Sequence, residues 1–303
     1  MTLLILPLPG NEEAAQALAE RNAAEVGALT VRRFPDGETY VRLETEVRDR
    51  DVALVSSLHR PDDKLLPLAF VAETARDLGS RSIGLVAPYL AYLRQDRRFQ
   101  EGEGVTSRYF ARLISGSVDW LVTIDPHLHR LPSLGAVYAI PTRVLHAAPH
   151  VSAWIREQVP QALLVGPDAE SAQWVEAVAH GANLPFVVLE KVRRGDRDVA
   201  VSVPEVDRWR ERTPVLVDDI ISTGRTMIET VGHLQRAGLR PPVCIGVHAV
   251  FADRAYEDLL AAGAAAVITC NTIPHPSNRI DLTPLLAEGV AAFTPDTTGA
   301  VAT

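Results

Sequence analysis

Asp218 and Asp219 stand together after the apolar run Val215-Leu-Val, and the chain continues Ile220-Ile-Ser-Thr-Gly-Arg-Thr-Met. This reads as a strand ending in two carboxylates, a short loop of Ser222, Thr223, Gly224, Arg225 and Thr226, and a helix whose apolar spacing begins at Met227. The pattern suits a phosphate cradle. Free backbone N–H groups and the positive end of a helix dipole attract an anion, and hydroxyls add donors. Gly224 lets the backbone approach closely. The paired carboxylates can accept hydrogen bonds from a vicinal diol beside that phosphate. One site could thus hold a sugar phosphate at both ends. The bland alternative is a plain junction capped by Ser222 or Thr223. A nucleotide P-loop is excluded, because G-x-x-x-x-G-K-[ST] occurs nowhere in the chain.

Five other segments carry groups that could act on phosphates. Arg33-Phe-Pro-Asp-Gly-Glu-Thr-Tyr contains Phe34, Asp36 and Glu38 around a Pro-Asp-Gly turn. Pro88-Tyr-Leu-Ala-Tyr-Leu-Arg-Gln-Asp-Arg-Arg-Phe carries Arg94, Gln95 and Arg97, which taken alone read as a solvated charge cluster after a strand. Thr123-Ile-Asp-Pro-His-Leu-His places His127 and His129 at a strand end, a spacing that is weak evidence for a metal. Gly166-Pro-Asp168 and Lys191-Val-Arg193 follow two further apolar runs, and the charged stretch 194–199 with Gly195 has the composition of a mobile lid.

Something must hold these groups at one edge. Short Val/Ile/Leu runs recur at Val52, Ile83, Trp120, Leu163, Phe186, Val215 and Val243 without clean alternation, as in strands buried on both faces. Helical patterns separate them over 65–78, 108–115, 171–180, 226–237 and 255–262. Strand and helix in alternation predict an α/β fold with a mainly parallel sheet. A weak echo runs through the chain: strands ending at Ser56-Ser57, near Tyr89 and at Asp125 look like those ending at Asp168, Lys191 and Asp219. Two similar domains are expected, 1–145 and 146–290, with a frayed tail over 291–303. Polar groups at the carboxyl ends of such strands mark the ligand edge.

The 303 residues have ample apolar material for a core, at 47%, and the formal net charge of -8 offers no global field for a polyanion. Nucleic acid is therefore not an expected partner. Cys244 and Cys270 match neither a disulfide framework nor a zinc pattern and are expected to be buried thiols. The first ten residues lack the basic start of a signal peptide and are too short to span a bilayer. A soluble, cytoplasmic protein is expected.

The stretch from Val215 to Met227 resembles the phosphoribosyl pyrophosphate (PRPP) binding motif of type I phosphoribosyltransferases and ribose-phosphate pyrophosphokinases. The remaining segments resemble the pyrophosphokinases, in the right order from about Leu4 to about Glu288. The resemblance implies two phosphoribosyltransferase-like domains, each with a mainly parallel sheet flanked by helices. It implies transfer of pyrophosphate from ATP to ribose 5-phosphate, with Mg2+ as cofactor and a homo-oligomer, dimer or hexamer, as the active form. It assigns ATP to Phe34, Asp36, Glu38, Arg94, Gln95 and Arg97, the first three reaching the base from a neighbouring subunit. It assigns ribose 5-phosphate to Asp218, Asp219 and the loop Ser222, Thr223, Gly224, Arg225 and Thr226. Lys191, Arg193 and His127 become catalytic candidates, and His127 and Asp168 metal candidates. Departures from the family pattern are Arg225 in place of a small residue, Phe99 near the place of an acid, and Glu170-Ser171 in place of two small residues. The alternatives are a phosphoribosyltransferase that consumes PRPP and a non-catalytic paralogue that regulates a synthetase.

Overall fold

The apolar runs form strands because their side chains are buried on both faces, and helices cover them. The computed structural model describes residues 3–128, 130–167, 171–193, 199–202 and 206–294. The chain divides into two units, one of residues 1–145 with 283–303 and the other of residues 146–282.

In unit 1 the order is β1 (Leu4–Pro7), α1 (Glu12–Asn22), β2 (Glu25–Val26), β3 (Leu29–Arg33), β4 (Thr39–Leu43), β5 (Asp51–Val55), α2 (Asp62–Asp77), β6 (Ser82–Ala87), α3 (Thr106–Ser117), β7 (Trp120–Ile124) and β8 (Thr142–Leu145). Six strands form one parallel sheet in the order β2-β1-β5-β6-β7-β8. β3 and β4 form a separate antiparallel ribbon. Leu4, Leu6, Leu54, Leu85 and Leu121 are fully buried in this sheet.

Unit 2 runs through α4 (Ala148–Gln158), β9 (Ala162–Gly166), α5 (Ala172–Ala182), β10 (Phe186–Val188), β11 (Glu190–Arg193), β12 (Val199–Ser202), β13 (Thr213–Ile221), α6 (Arg225–Arg236), β14 (Val243–Ala249), α7 (Ala255–Ala261), β15 (Ala266–Cys270) and β16 (Asn278–Ile280). Its parallel sheet has the order β10-β9-β13-β14-β15-β16, and β11-β12 is again an antiparallel ribbon. Leu163, Leu216, Val231, Leu234 and Leu259 fill its core beneath α6 and α7. Cys244 and Cys270 are buried free thiols, and burial pushes Cys244 up to about 12.

The two units share one strand plan, but it pairs different strands from those the sequence expectation matched. β5, which precedes Ser56-Ser57, lies between β1 and β6, just as β13, which holds Asp218-Asp219, lies between β9 and β14. The strand before Asp168 therefore corresponds to β1. The sequence hid this because β2 has two residues and the ribbons lie outside the sheets.

The second domain also differs at its carboxyl end from the expected 146–290. A last helix, α8 (Thr283–Ala291), belongs to unit 1. A Cβ on Gly289 would lie 2.7 Å from Val122 and 2.9 Å from Leu145, so the backbone of α8 rests directly on β7 and β8. Phe293 stacks on Trp120 with ring centroids 4.9 Å apart, so the expected tail is folded this far. Residues 295–303 lie outside the described residues.

Gly84 on β6 faces the indole of Trp120, and a Cβ there would overlap the ring. Gly84→Ala is expected to cost about 1–3 kcal/mol and lower the thermal midpoint by roughly 2–10 °C. Gly116→Ala, on α3 with nothing within 4 Å of its Cβ, is the control and should not destabilise. Equal midpoints for the two variants would refute the packing assignment.

Candidate active site

The Asp218–Thr226 segment is a strand running into a helix, with a difference at each end. β13 continues through both carboxylates to Ile221, pairing Ile220 with His248 and Ile221 with Ala249. Successive strand side chains alternate faces, so Asp218 and Asp219 diverge from the backbone. Asp218 Oδ1 accepts from the N–H of Asp219 at 3.0 Å. The turn itself is closed by Gly224, which stands at the N-cap position of α6 with φ +66, so that position is held by neither Ser222 nor Thr223. The Ser222 carbonyl accepts from Ala252 N–H at 3.1 Å, which ties the loop to the end of β14. A Cβ on Gly224 would sit 3.4 Å from Leu259 and in a left-handed backbone, so glycine is required twice over. Thr223, Arg225 and Thr226 are exposed. The first-turn N–H groups of a helix such as α6 suit an anion.

Lys191 and Arg193 lie on β11, opposite Val201 and Val199 of β12. The expected lid begins after Arg193 and its stretch 194–198 lies outside the described residues, as do Asp168, Glu170 and His129. Val199, expected in the lid, starts β12 instead. Ser171 precedes α5 as its cap residue.

In unit 1, Phe34, Asp36 and Glu38 form the tip of the β3–β4 ribbon. Phe34 N–H donates to the Glu38 carbonyl at 2.8 Å and Gly37, at φ +94, closes the turn. Asp36 Oδ1 accepts from Glu38 N–H at 3.2 Å. Phe34 is 40% exposed and meets Tyr40 edge-on at 5.9 Å, while the Arg32 guanidinium lies 4.8 Å and 4.1 Å from the two rings. A large exposed ring held this way is a stacking platform.

Arg94, Gln95 and Arg97 occupy the loop after β6. Arg94 and Arg97 are exposed, and Arg97 lies 5.0 Å above the Phe99 ring. Gln95 Oε1 accepts from Thr106 Oγ1 at 3.0 Å, which orients its amide from the first turn of α3. His127 is half-buried after β7. Asp96, absent from the sequence candidates, is buried and pairs with Arg130 at 3.3 Å. That pair clamps the arginine loop to the His127 loop. Tyr92 (φ +61) and Asp125 (φ +31) hold left-handed backbones in these two loops, strain of the kind found at ligand sites.

For a cation the donors near these edges are mostly oxygen. Among the described residues no three His, Cys, Asp or Glu side chains gather as a cluster. Mg2+ in phosphoryl-transfer sites binds through one or two carboxylates together with substrate phosphates and water.

Residues 3–117 match the family described as the N-terminal domain of ribose phosphate pyrophosphokinase, and residues 134–283 match the phosphoribosyl transferase domain. The ribose-phosphate pyrophosphokinase of Sulfurisphaera tokodaii is 32% identical over 266 residues, 85% of this chain and 89% of that protein. That of Methanopyrus kandleri is 33% identical over 291 residues, 95% and 98% of the two chains. Among solved structures, the phosphoribosylpyrophosphate synthetase from Mycobacterium smegmatis is similar with a TM-score of 0.83 at 25% identity, covering 98% of this chain and 100% of that one.

Proposed function

The chain belongs to the ribose-phosphate pyrophosphokinase family, and on that premise we propose that it makes PRPP and AMP from ATP and ribose 5-phosphate. The observation that carries the reading is the match of unit 1 to the pyrophosphokinase N-terminal domain, beside a unit 2 that carries the glycine-turned β13–α6 junction.

In this reading the ribose phosphate sits on the N–H groups and hydroxyls of Ser222 to Thr226, with its diol on Asp218 and Asp219. ATP takes its base from Phe34, Asp36 and Glu38, with Gln95 reading the adenine edge and Arg94 and Arg97 meeting phosphates. The C1 hydroxyl loses its proton and forms a bond to the β-phosphorus of ATP. The bond from that phosphorus to the oxygen of AMP breaks in line. Such a reaction needs positioning and charge neutralisation rather than covalent help. Lys191 and Arg193 of the β11–β12 ribbon neutralise charge growing on the moving group. When bound, Mg2+ supplies charge neutralisation on the phosphates, and His127 and Asp168 would help hold it, directly or through water. The exposed ribbon tip suits use by a neighbouring copy, so the active form is a homo-oligomer. Among the described residues no helix is long and apolar enough to cross a membrane, and a cytoplasmic location fits these substrates.

Phosphorus NMR with ATP, ribose 5-phosphate and magnesium is expected to show PRPP and equimolar AMP. No product, with PRPP and a nucleobase consumed instead, would overturn the proposal in favour of a transferase.

Arg225 provides a sharper test. It opens α6, where a cation opposes the helix dipole, is exposed, and has no partner among the described residues. An outward side chain does not crowd the loop, and a bound phosphate would repay its position. Arg225→Gly is expected to weaken ribose 5-phosphate binding about 10-fold by calorimetry. A gain in affinity would show crowding instead.

A further inference from the structure

Arg130 follows His127 by three residues and has no role in the motifs read from the sequence. Its Nη1 donates to Asp96 Oδ1 at 3.3 Å and to Oδ2 at 3.5 Å. Charge-assisted bonds are usually shorter, about 2.7–2.9 Å, and a filled guanidinium–carboxylate pair uses two nitrogens. Nε and Nη2 of Arg130 make no hydrogen bond among the described residues. The Asp96 side chain is 4% exposed and that of Arg130 is 46% exposed. The carboxylate is thus fixed inside, while most of the guanidinium's donors stay open.

Arg97 and Arg130 meet at one ring. Their guanidinium carbons lie 5.0 Å and 5.6 Å from the centroid of Phe99. That ring is 52% exposed, so it buries little apolar surface, and contact with two cations is what it supplies. Its loop is braced. Glu103 Oε2 accepts from the N–H groups of Phe99 and Gln100 at 2.7 Å and 3.1 Å, and Arg98 Nε donates to the Glu103 carbonyl at 2.9 Å. Neither Arg97 nor Glu103 makes an ion pair among the described residues, so Asp96 is the paired carboxylate for two guanidiniums. Like charges gathered on one ring repel until an anion joins them. A carboxylate at position 99 would take the arginine donors for itself. A ring holds the same cations and leaves their N–H edges free.

We propose that Arg130 is a phosphate ligand of the ATP site: with Arg97 it forms a pair of guanidiniums, set by the Phe99 ring and anchored by Asp96, that grips the triphosphate. The proposal rests on the reading that unit 1 binds ATP. The open Nε and Nη2 edge of Arg130 matches two phosphate oxygens, a bidentate geometry that a lysine does not make. Asp96 is a positioning residue, holding one nitrogen and leaving the others to the ligand. Every member of the arrangement lies in unit 1.

Arg130→Ala would strand the buried Asp96 carboxylate and endanger the fold. Asp96→Asn with Arg130→Gln instead removes both charges, keeps the net charge and leaves a pair that can still hydrogen-bond. Calorimetry of the full-length protein with magnesium and ATP, and displacement of ATP by inorganic tripolyphosphate, read the site. The double variant is expected to weaken both ligands about 10-fold or more, and to raise KM for ATP by that factor while kcat stays within about 3-fold. Phe99→Leu should weaken both about 2- to 5-fold. Arg130→Lys, which keeps the charge and loses the fork, should recover part of the affinity. Unchanged affinity for both ligands in a folded double variant would overturn the proposal, and PRPP formation by the parent would then leave the proposed reaction standing. A loss of affinity that only follows a collapse of the thermal midpoint, with no recovery in Arg130→Lys, would assign a structural clamp and overturn it too. No PRPP from the parent, with both ligands weakened as expected, would keep Arg130 as a ligand and remove the reaction alone.

Discussion

Lys191→Ala lowers turnover by about 10²- to 10³-fold and leaves ribose 5-phosphate affinity within a few-fold. The magnitude is that of removing one fixed donor aimed at developing charge. The asymmetry between rate and binding follows from placement. Lys191 sits on the β11–β12 ribbon, outside the β13–α6 junction that is proposed to hold the sugar phosphate. A group that meets the pyrophosphoryl moiety as it moves contributes to the transition state more than to the ground state. Coupled AMP assays under saturating substrates, with calorimetry of ribose 5-phosphate, read both quantities. Turnover within a few-fold of the parent would remove Lys191 from the mechanism. Circular dichroism is expected to be unchanged, since exchange on a two-stranded ribbon leaves both six-stranded sheets intact.

The complementary result is expected at the carboxylates. Asp218→Asn with Asp219→Asn should weaken ribose 5-phosphate binding by at least about 10²-fold, because hydrogen bonds to charged groups contribute about 1.5–3 kcal/mol each. The single variants should differ. Alternation along β13 separates the two side chains, and Asp218 already accepts from the Asp219 N–H. The variant in which the carboxyl braces the backbone is expected to lose stability as well as affinity. The other should lose affinity alone. Binding isotherms beside thermal midpoints separate the cases, and unchanged affinity in the double variant would detach these residues from the sugar.

How far the sequence led depends on how local the cause is. The β13–α6 junction was legible because strand, carboxylates, glycine turn and helix start lie within thirteen residues and each has its own chemical signature. The Pro35-Asp36-Gly37 turn was legible for the same reason, and the structure makes it the ribbon tip. The Asp96–Arg130 clamp was not, since its members are 34 residues apart and each reads as one more charge on a loop. The mispairing in the repeat arose from β2, whose two residues carry no periodicity, and from ribbons whose pattern does not distinguish them from sheet strands. The apolar face of α8 announces a buried helix without saying which unit it covers. Only Gly289 against Val122 and Leu145 decides that.

The return of α8 sets an order of events during synthesis. Unit 2, residues 146–282, is an insertion between β8 and the helix that completes unit 1. On a ribosome, the first 145 residues emerge with the β7–β8 flank of their sheet bare, and they stay so while the inserted unit is made. Residues 283–294, made after the inserted unit, then close the first unit, with Phe293 settling on Trp120. The integrity of unit 1 therefore reports whether translation has passed the inserted unit and α8.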